Sequence, residues 1–343
     1  MTDLERGLLA VISARCGRAE LEFARRPESL TGGYWARISA FSLADPPRGF
    51  AGELVLRRLP SSPRTRIELA VHTAVAELGF PTPRVRASGG ADESLGCSFL
   101  IMDRASGATF SEAQPGLSRL RRAQAMPRLL ADAQLRLHSL PVEPLVERLR
   151  KHGLTPLDLS LSALLDQLSA QIRALRSADL TRALDWLTRT RPAERELVLC
   201  HCDVHPNNLI VDRSAGRVPV RPSGGDWALI DWTNARLAEP ELDVAFSAEL
   251  LELAPVDVPR ALRPVMRFVM RRASRELQKL YREKAPLDPA RVTWYQALYR
   301  LQLLVRVEAA RAALPDAPPF PSAHPWRRVA PFAAARLRAA MAA

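Results

Sequence analysis

Apolar positions along the chain change their period twice. Over residues 1 to about 25, Leu4, Leu8, Leu9, Ile12 and Leu21 recur at helical spacing and predict an opening helix. From Leu30 to Ile38 the pattern shortens around Gly32-Gly33 and predicts a strand, a glycine turn and a second strand. Glu53–Arg58 reads as another short strand and Arg66–Leu78 as a helix. Gly79-Phe80-Pro81-Thr82-Pro83 ends that helix, because proline lacks the N–H and the room to continue one. Val85-Arg86-Ala87 and Cys97–Met102 supply two more strands. Beyond Met102, residues 117–140 and 157–190 are rich in Leu and Arg at helical spacing, a strand-like region follows at 197–235, and the chain is helical again from Glu241. The order predicts an α+β chain with a small antiparallel lobe at residues 1–102 and a larger, mainly helical lobe at 103–343.

Composition narrows the class. A chain of 343 residues with 47% hydrophobic and 25% charged residues can bury a substantial core and fits an ordinary soluble globular protein. No uncharged apolar run approaches the ~20 residues that span a bilayer, so no membrane partner is expected. The start, Met1-Thr2-Asp3-Leu4-Glu5-Arg6, lacks the basic and apolar segments of a signal peptide, and four cysteines do not suggest a disulfide scaffold. A cytoplasmic protein is the expectation.

The formal charge of +12 is uneven. The segment from Val258 to the end holds 17 Lys/Arg against 5 Asp/Glu, which is the whole excess. Arg272, Arg275, Lys279 and Arg282 are interleaved with apolar residues at helical spacing and read as solvated helix faces rather than a nucleic-acid surface.

The chemistry lies at His201-Cys202-Asp203-Val204-His205-Pro206-Asn207-Asn208, followed 23 residues after Asn208 by Asp231-Trp232. Apolar runs flank both pieces, so short strands are expected to bring the oxygens of Asp203, Asn208 and Asp231 to one end of a small sheet. Carboxylate and amide oxygens suit Mg²⁺, which uses few protein ligands and completes its shell with water and phosphates. A further carboxylate free to accept a hydroxyl proton completes the equipment for phosphoryl transfer. Cys200, His201, Cys202 and His205 form a rival cluster for zinc, but the usual cysteine spacers are missing.

His-Cys-Asp-Val-His-Pro-Asn-Asn with Ile230-Asp231-Trp232 resembles the catalytic loop and metal-binding turn of the aminoglycoside phosphotransferase and choline kinase family, small-molecule relatives of protein kinases. The stretch Leu237–Ala245 continues the match. The resemblance implies a two-lobed, protein-kinase-like fold and transfer of the γ-phosphoryl group of ATP or GTP to a hydroxyl of a small molecule, with Mg²⁺ as cofactor. It assigns Asp203 as catalytic base, Asn208 and Asp231 as metal ligands, and Asp243 as a buried brace of the loop. His201, His205 and His138 become structural supports. Gly32-Gly33 takes the place of a phosphate-covering turn, where backbone N–H groups approach closely because no Cβ intervenes. Met102 marks the hinge at which the nucleotide base meets the backbone.

Arg57 departs from the family. Many members, like protein kinases, carry a lysine on this strand, paired with phosphates and with a helix glutamate; arginine keeps the charge but is longer and planar. Glu68 is the candidate partner, with Glu77 as fallback. Trp294, Tyr295 and Tyr299 fall where relatives build the acceptor pocket, and core packing is the preferred reading. Residues 212–226, with two prolines and three glycines, make a longer turn than the family uses and read as an insertion. The acceptor's identity is not legible, and an antibiotic-modifying kinase and a nucleotide-binding pseudokinase remain open beside the general reading.

Overall fold

The computed structural model describes residues 1–30, 36–60, 62–91, 93–112, 119–211, 227–253, 258–314 and 325–342. Helix α1 (Asp3–Cys16) opens with a capping box, in which Thr2 accepts from the Glu5 N–H and the Glu5 carboxylate accepts from the Thr2 N–H. It stops earlier than the apolar pattern predicts. Gly17 adopts φ 68° and returns its N–H to Ser13 O, a left-handed cap that turns the chain away, so Leu21 belongs to the approach of the first strand.

Strands β1 (Phe23–Ser29), β2 (Arg37–Leu43), β3 (Leu54–Leu59), β4 (Val85–Gly89) and β5 (Ser98–Asp103) form one antiparallel sheet in the order β1-β2-β3-β5-β4. The first hairpin is longer than expected, its strands reaching back to Phe23 and on to Leu43, and Gly32 and Gly33 lie outside the described residues. Helix α2 (Pro63–Glu77) connects β3 to β4, starting at the Ser62 cap with Pro63 in the first turn and ending before Gly79. α1 packs under the sheet through Leu8, Val11 and Ile12 against Phe41, Leu54, Leu56 and Phe99.

Beyond β5 the chain is mostly helical: α3 (Arg119–His138), α4 (Val142–Lys151), α5 (Leu161–Leu175), α6 (Ala178–Arg189), α7 (Pro240–Leu253), α8 (Arg263–Arg282), α9 (Pro289–Arg311) and α10 (Pro325–Ala342). The stretch read at 117–140 is the single helix α3, while that at 157–190 divides into α5 and α6. α7 is the axis of the helical lobe. Nearly every residue from Glu241 to Leu253 is buried, as expected of a helix apolar on all sides. Arg272, Arg275, Lys279 and Arg282 lie exposed on α8, as solvated faces.

Two small sheets position the site. β7 (Val198–Cys200) pairs with β10 (Arg236–Ala238), while β8 (Leu209–Val211) pairs with both β6 (Ala108–Thr109) and β9 (Trp227–Leu229). The loop from β7 to β8 and the turn from β9 to β10 therefore emerge side by side. The insertion 212–226 lies outside the described residues.

Candidate functional site

The loop at 201–208 is held from below by one carboxylate. Asp243, fully buried on α7, accepts the N–H of His201 at 2.8 Å and of Cys202 at 2.6 Å. Cys202 sits at φ 61°, a left-handed conformation unusual without glycine, and this double acceptor holds it there. His138 contacts the same carboxylate at 3.2 Å and the Tyr281 hydroxyl at 2.8 Å. Ser247 donates to the Val204 carbonyl at 2.8 Å, and Gln134 donates to Ser247. His201 is buried, with Nε2 3.1 Å from the Ile230 carbonyl and its ring against Trp232, and burial lowers its pKa. Both cysteines are buried free thiols that join the helical core, and burial raises their pKa values.

Asp203 stands above this platform and is partly open to solvent. Its oxygens are loosely held, Oδ1 at 3.5 Å from His205 Nε2 and Oδ2 at 3.4 Å from Asn234 Nδ2. Asn208 donates from Nδ2 to the Asp203 carbonyl at 2.9 Å, and its own carbonyl accepts the Ile230 N–H at 3.0 Å. That last bond ties the loop to the residue before Asp231. The three predicted oxygen-bearing residues are thus brought together.

Asp231, at φ 72°, is linked to the N-terminal sheet by Arg57, whose Nη2 lies 3.0 Å from Oδ1. Arg57 also faces Glu68, with Nε 2.8 Å from Oε1, off the line a hydrogen bond needs, and Nη2 3.3 Å from Oε2. One buried cation thus serves two carboxylates. Burial pushes Glu68 up to about 8 against the pull of Arg57. Burial would also raise Asp231, but Arg57 and the Thr233 hydroxyl outweigh it and bring it down to about 2. Glu77 is instead a surface residue near Arg148, so Glu68 is the partner.

Met102 does not present a free backbone. It lies inside β5, opposite Val55 and Val85, and Asp103 and Arg104 donate their N–H groups to Arg84 and Glu53. Among the described residues, no backbone hydrogen bond is donated by Ala105, Ser106 or Gly107. Trp294, Tyr295 and Tyr299 are core residues, Tyr295 donating to Glu239.

The donor set fits a magnesium ion. Among the described residues Asn208 Oδ1 and Asp231 Oδ2 carry no hydrogen bond, while the other atom of each group is anchored. These are hard oxygen ligands with room left for water and phosphate.

A family model described as phosphotransferase enzyme family, APH, matches residues 40–277. The chain belongs to that family. The match runs from β2 through the loop and turn into α8 and takes in Arg57, Glu68, Asp203, Asn208, Asp231 and Asp243. The chain is 29% identical over 182 residues to an aminoglycoside 3'-phosphotransferase of Streptomyces fradiae, covering 51% of this chain and 60% of the relative. It thus spans less than two thirds of that relative's length. In fold it resembles a choline/ethanolamine kinase family protein from Mesorhizobium loti, with TM-score 0.59, 16% identity and coverage of 99% of this chain and 95% of the other. It also resembles an aminoglycoside 2'-phosphotransferase-IIIa in complex with GDP, with TM-score 0.54, 16% identity and 98% of both chains covered.

Sequence reasoning missed Asn234, which joins Asp203 to Arg306 by accepting from Arg306 Nη2 at 3.2 Å. It also missed Thr82, which donates to the Leu229 carbonyl at 2.7 Å and accepts from Trp232 Nε1 at 3.1 Å. Their partners lie tens of residues away, so no local spacing signals them.

Proposed function

We propose that this phosphotransferase moves the γ-phosphoryl group of ATP or GTP to a hydroxyl of a small molecule, with Asp203 as base. The lobe at residues 1–102 holds the nucleotide and the lobe at 103–343 supplies the base and the acceptor pocket. The observation that carries the reading is Asp203 itself. Its carboxylate is partly open and weakly held, directly beside two anchored oxygen ligands.

A bond forms from the acceptor oxygen to the γ-phosphorus, the bond to the bridging oxygen breaks with its electrons going to the departing diphosphate, and the hydroxyl proton passes to Asp203. Asn208 and Asp231 are the residues that would hold Mg²⁺, which when bound neutralises phosphate charge. Arg57 stays with Glu68 and Asp231 and keeps a positive charge beneath the phosphates. The Gly32-Gly33 turn is assigned to the phosphates, and the backbone from Ala105 to Gly107, rather than Met102, to the nucleotide base. The GDP held by the aminoglycoside 2'-phosphotransferase supports a guanine or adenine nucleotide as donor.

Asp203→Asn tests the reading. Turnover on any accepted substrate should fall by about 10²–10⁴-fold or more, while the Kd for Mg-nucleotide, measured by calorimetry, stays within about 3-fold, since Asp203 is not a ligand of the metal. Wild-type turnover in the variant would remove the base assignment. An aminoglycoside kinase is the second reading, favoured by the Streptomyces fradiae relative. A scaffold without activity has less support, because the Arg57–Glu68 pair is formed.

A further inference from the structure

A narrow cleft of about 20 Å³ lies between α5, the 234–236 turn and α9, lined also by Arg64, with room for little more than one water-sized group. Its polar lining is one-sided. Arg64, Arg236 and Arg306 line it with the amides of Gln167, Gln171 and Gln302, and no carboxylate lines it among the described residues. Asn234 lines the cleft and donates to Asp203, so the cleft lies one side chain away from the base.

Among the described residues, Arg236 and Arg306 have no acidic partner. Arg236 is 6% exposed; its Nη1 donates to the Ala235 carbonyl at 2.9 Å and its buried Nε has no hydrogen-bond partner among the described residues. Burial pulls its pKa below the ordinary arginine value, and Arg306 adds to this. Arg306 donates to the neutral amide of Asn234. Guanidinium groups buried without a counter-charge are costly, and an arriving anion would relieve that cost.

The acids that would serve a cationic acceptor are engaged elsewhere. Glu239 accepts from Arg291 and Tyr295, and Glu241 from the Asp288 N–H. Glu249 pairs with Arg300 at 2.6 Å and with Arg336, which also holds Glu252. These pairs are interior to the helical lobe and leave the cleft positive.

We propose that the acceptor carries an oxyanion, carboxylate or phosphate, close to the hydroxyl that is phosphorylated, and that Arg236 and Arg306 bind it. This rests on the phosphotransferase reading above and names its substrate class. The fork of a guanidinium matches both kinds of oxyanion, and two arginines would orient the acceptor before its hydroxyl reaches Asp203.

The test is calorimetric binding to the full chain with Mg²⁺ and a non-hydrolysable ATP analogue already bound, so that anions cannot occupy the nucleotide site. The probes are glycerate and glycerol 3-phosphate (anionic), glycerol (neutral), and 2-aminoethanol and kanamycin (cationic). The anions should bind more tightly than the rest, and the better of the two tells carboxylate from phosphate. Arg306→Gln should weaken the anions on the order of 10–100-fold and glycerol less than about 3-fold. Arg306→Lys should recover part of the loss, and Arg236→Gln should reproduce it. The proposal is overturned if neither anion binds, if the cations bind more tightly, or if Arg306→Gln leaves anion affinity unchanged. Failure to bind or hydrolyse nucleotide would instead undo the phosphotransferase reading. An active enzyme preferring kanamycin would undo this inference alone.

Discussion

Arg57, Glu68 and His72 lie in one buried neighbourhood and settle their charges differently. Arg57 faces two carboxylates, so the less enclosed Asp231 stays ionised while burial pushes Glu68 toward its neutral form. Removing Arg57 would strand both acids, the circumstance in which breaking a buried pair costs about 3–5 kcal/mol. His72 makes no ion pair among the described residues. Nε2 lies 2.9 Å from the Pro83 carbonyl and 3.2 Å from Thr82, and burial lowers its pKa to about 4. Between about 6.5 and about 4 the unfolded chain therefore takes up a proton that the folded one refuses. Stability should fall as pH drops through that window, by up to about 3 kcal/mol. Urea unfolding of wild type and His72→Gln at pH 7 and pH 4.5 checks this. The wild type should lose more than the variant on acidification, and equal losses would mean that His72 is not buried in its neutral form.

At the scale of elements, the reactive loop is rigid because α7 supplies acceptors and donors from beneath it. Asp243 takes two consecutive N–H groups, and Ser247, one turn on, reaches the Val204 carbonyl. The left-handed turn at Cys202 depends on that support. Asp243→Ala leaves two buried donors unpaired, at a cost on the order of 3 kcal/mol. The melting temperature should drop and kcat should fall sharply, while nucleotide Kd moves little, since neither nucleotide-side group touches Asp243. A variant with wild-type kcat would show that the loop keeps its shape without α7.

Across the whole molecule, the sheet lobe meets the helical lobe through a shared core, in which Ile67, Val71 and Val75 of α2 join Leu145, Leu149 and Leu229, and through specific bonds. Arg57 reaches Asp231, Thr82 donates to the Leu229 carbonyl, the Leu229 N–H returns to Pro81, and Phe80 packs edge-on against Trp227 and Trp232. A nucleotide held between Gly32-Gly33 and the Asn208–Asp231 pair would add a further link across this junction. At 100 times its Kd, Mg-nucleotide should raise stability by about 2.7 kcal/mol. The gain, read as a shift in melting temperature, should vanish when EDTA removes the metal. If nucleotide stabilises equally with EDTA present, the oxygens at 208 and 231 do not hold an ion. No helix among the described residues is long and apolar enough to cross a membrane.

Local pattern was enough to order the elements and to mark the loop and turn, because helix and strand periods, proline stops and the spacing around Asp203 and Asp231 are written within a few residues of one another. The first helix was read too long, since its end depends on a single glycine in a left-handed conformation. Met102 was read as a free hinge because sequence does not tell which strands flank a given strand. The pairing of Arg57 with Glu68 rather than Glu77, and its second contact with Asp231, became definite only when α2 and the β9–β10 turn packed against β3. The sign of the cleft followed the same rule. Glu239, Glu241, Glu249 and Glu252 stand near the site in sequence, yet α9, its cap and α10 bring arginines, a tyrosine and a backbone N–H that occupy them, while Arg236 and Arg306 line the cleft beside Asn234. Period and turn chemistry are short-range properties of a chain. Which charges neutralise one another depends on distances across the core, which only packing sets.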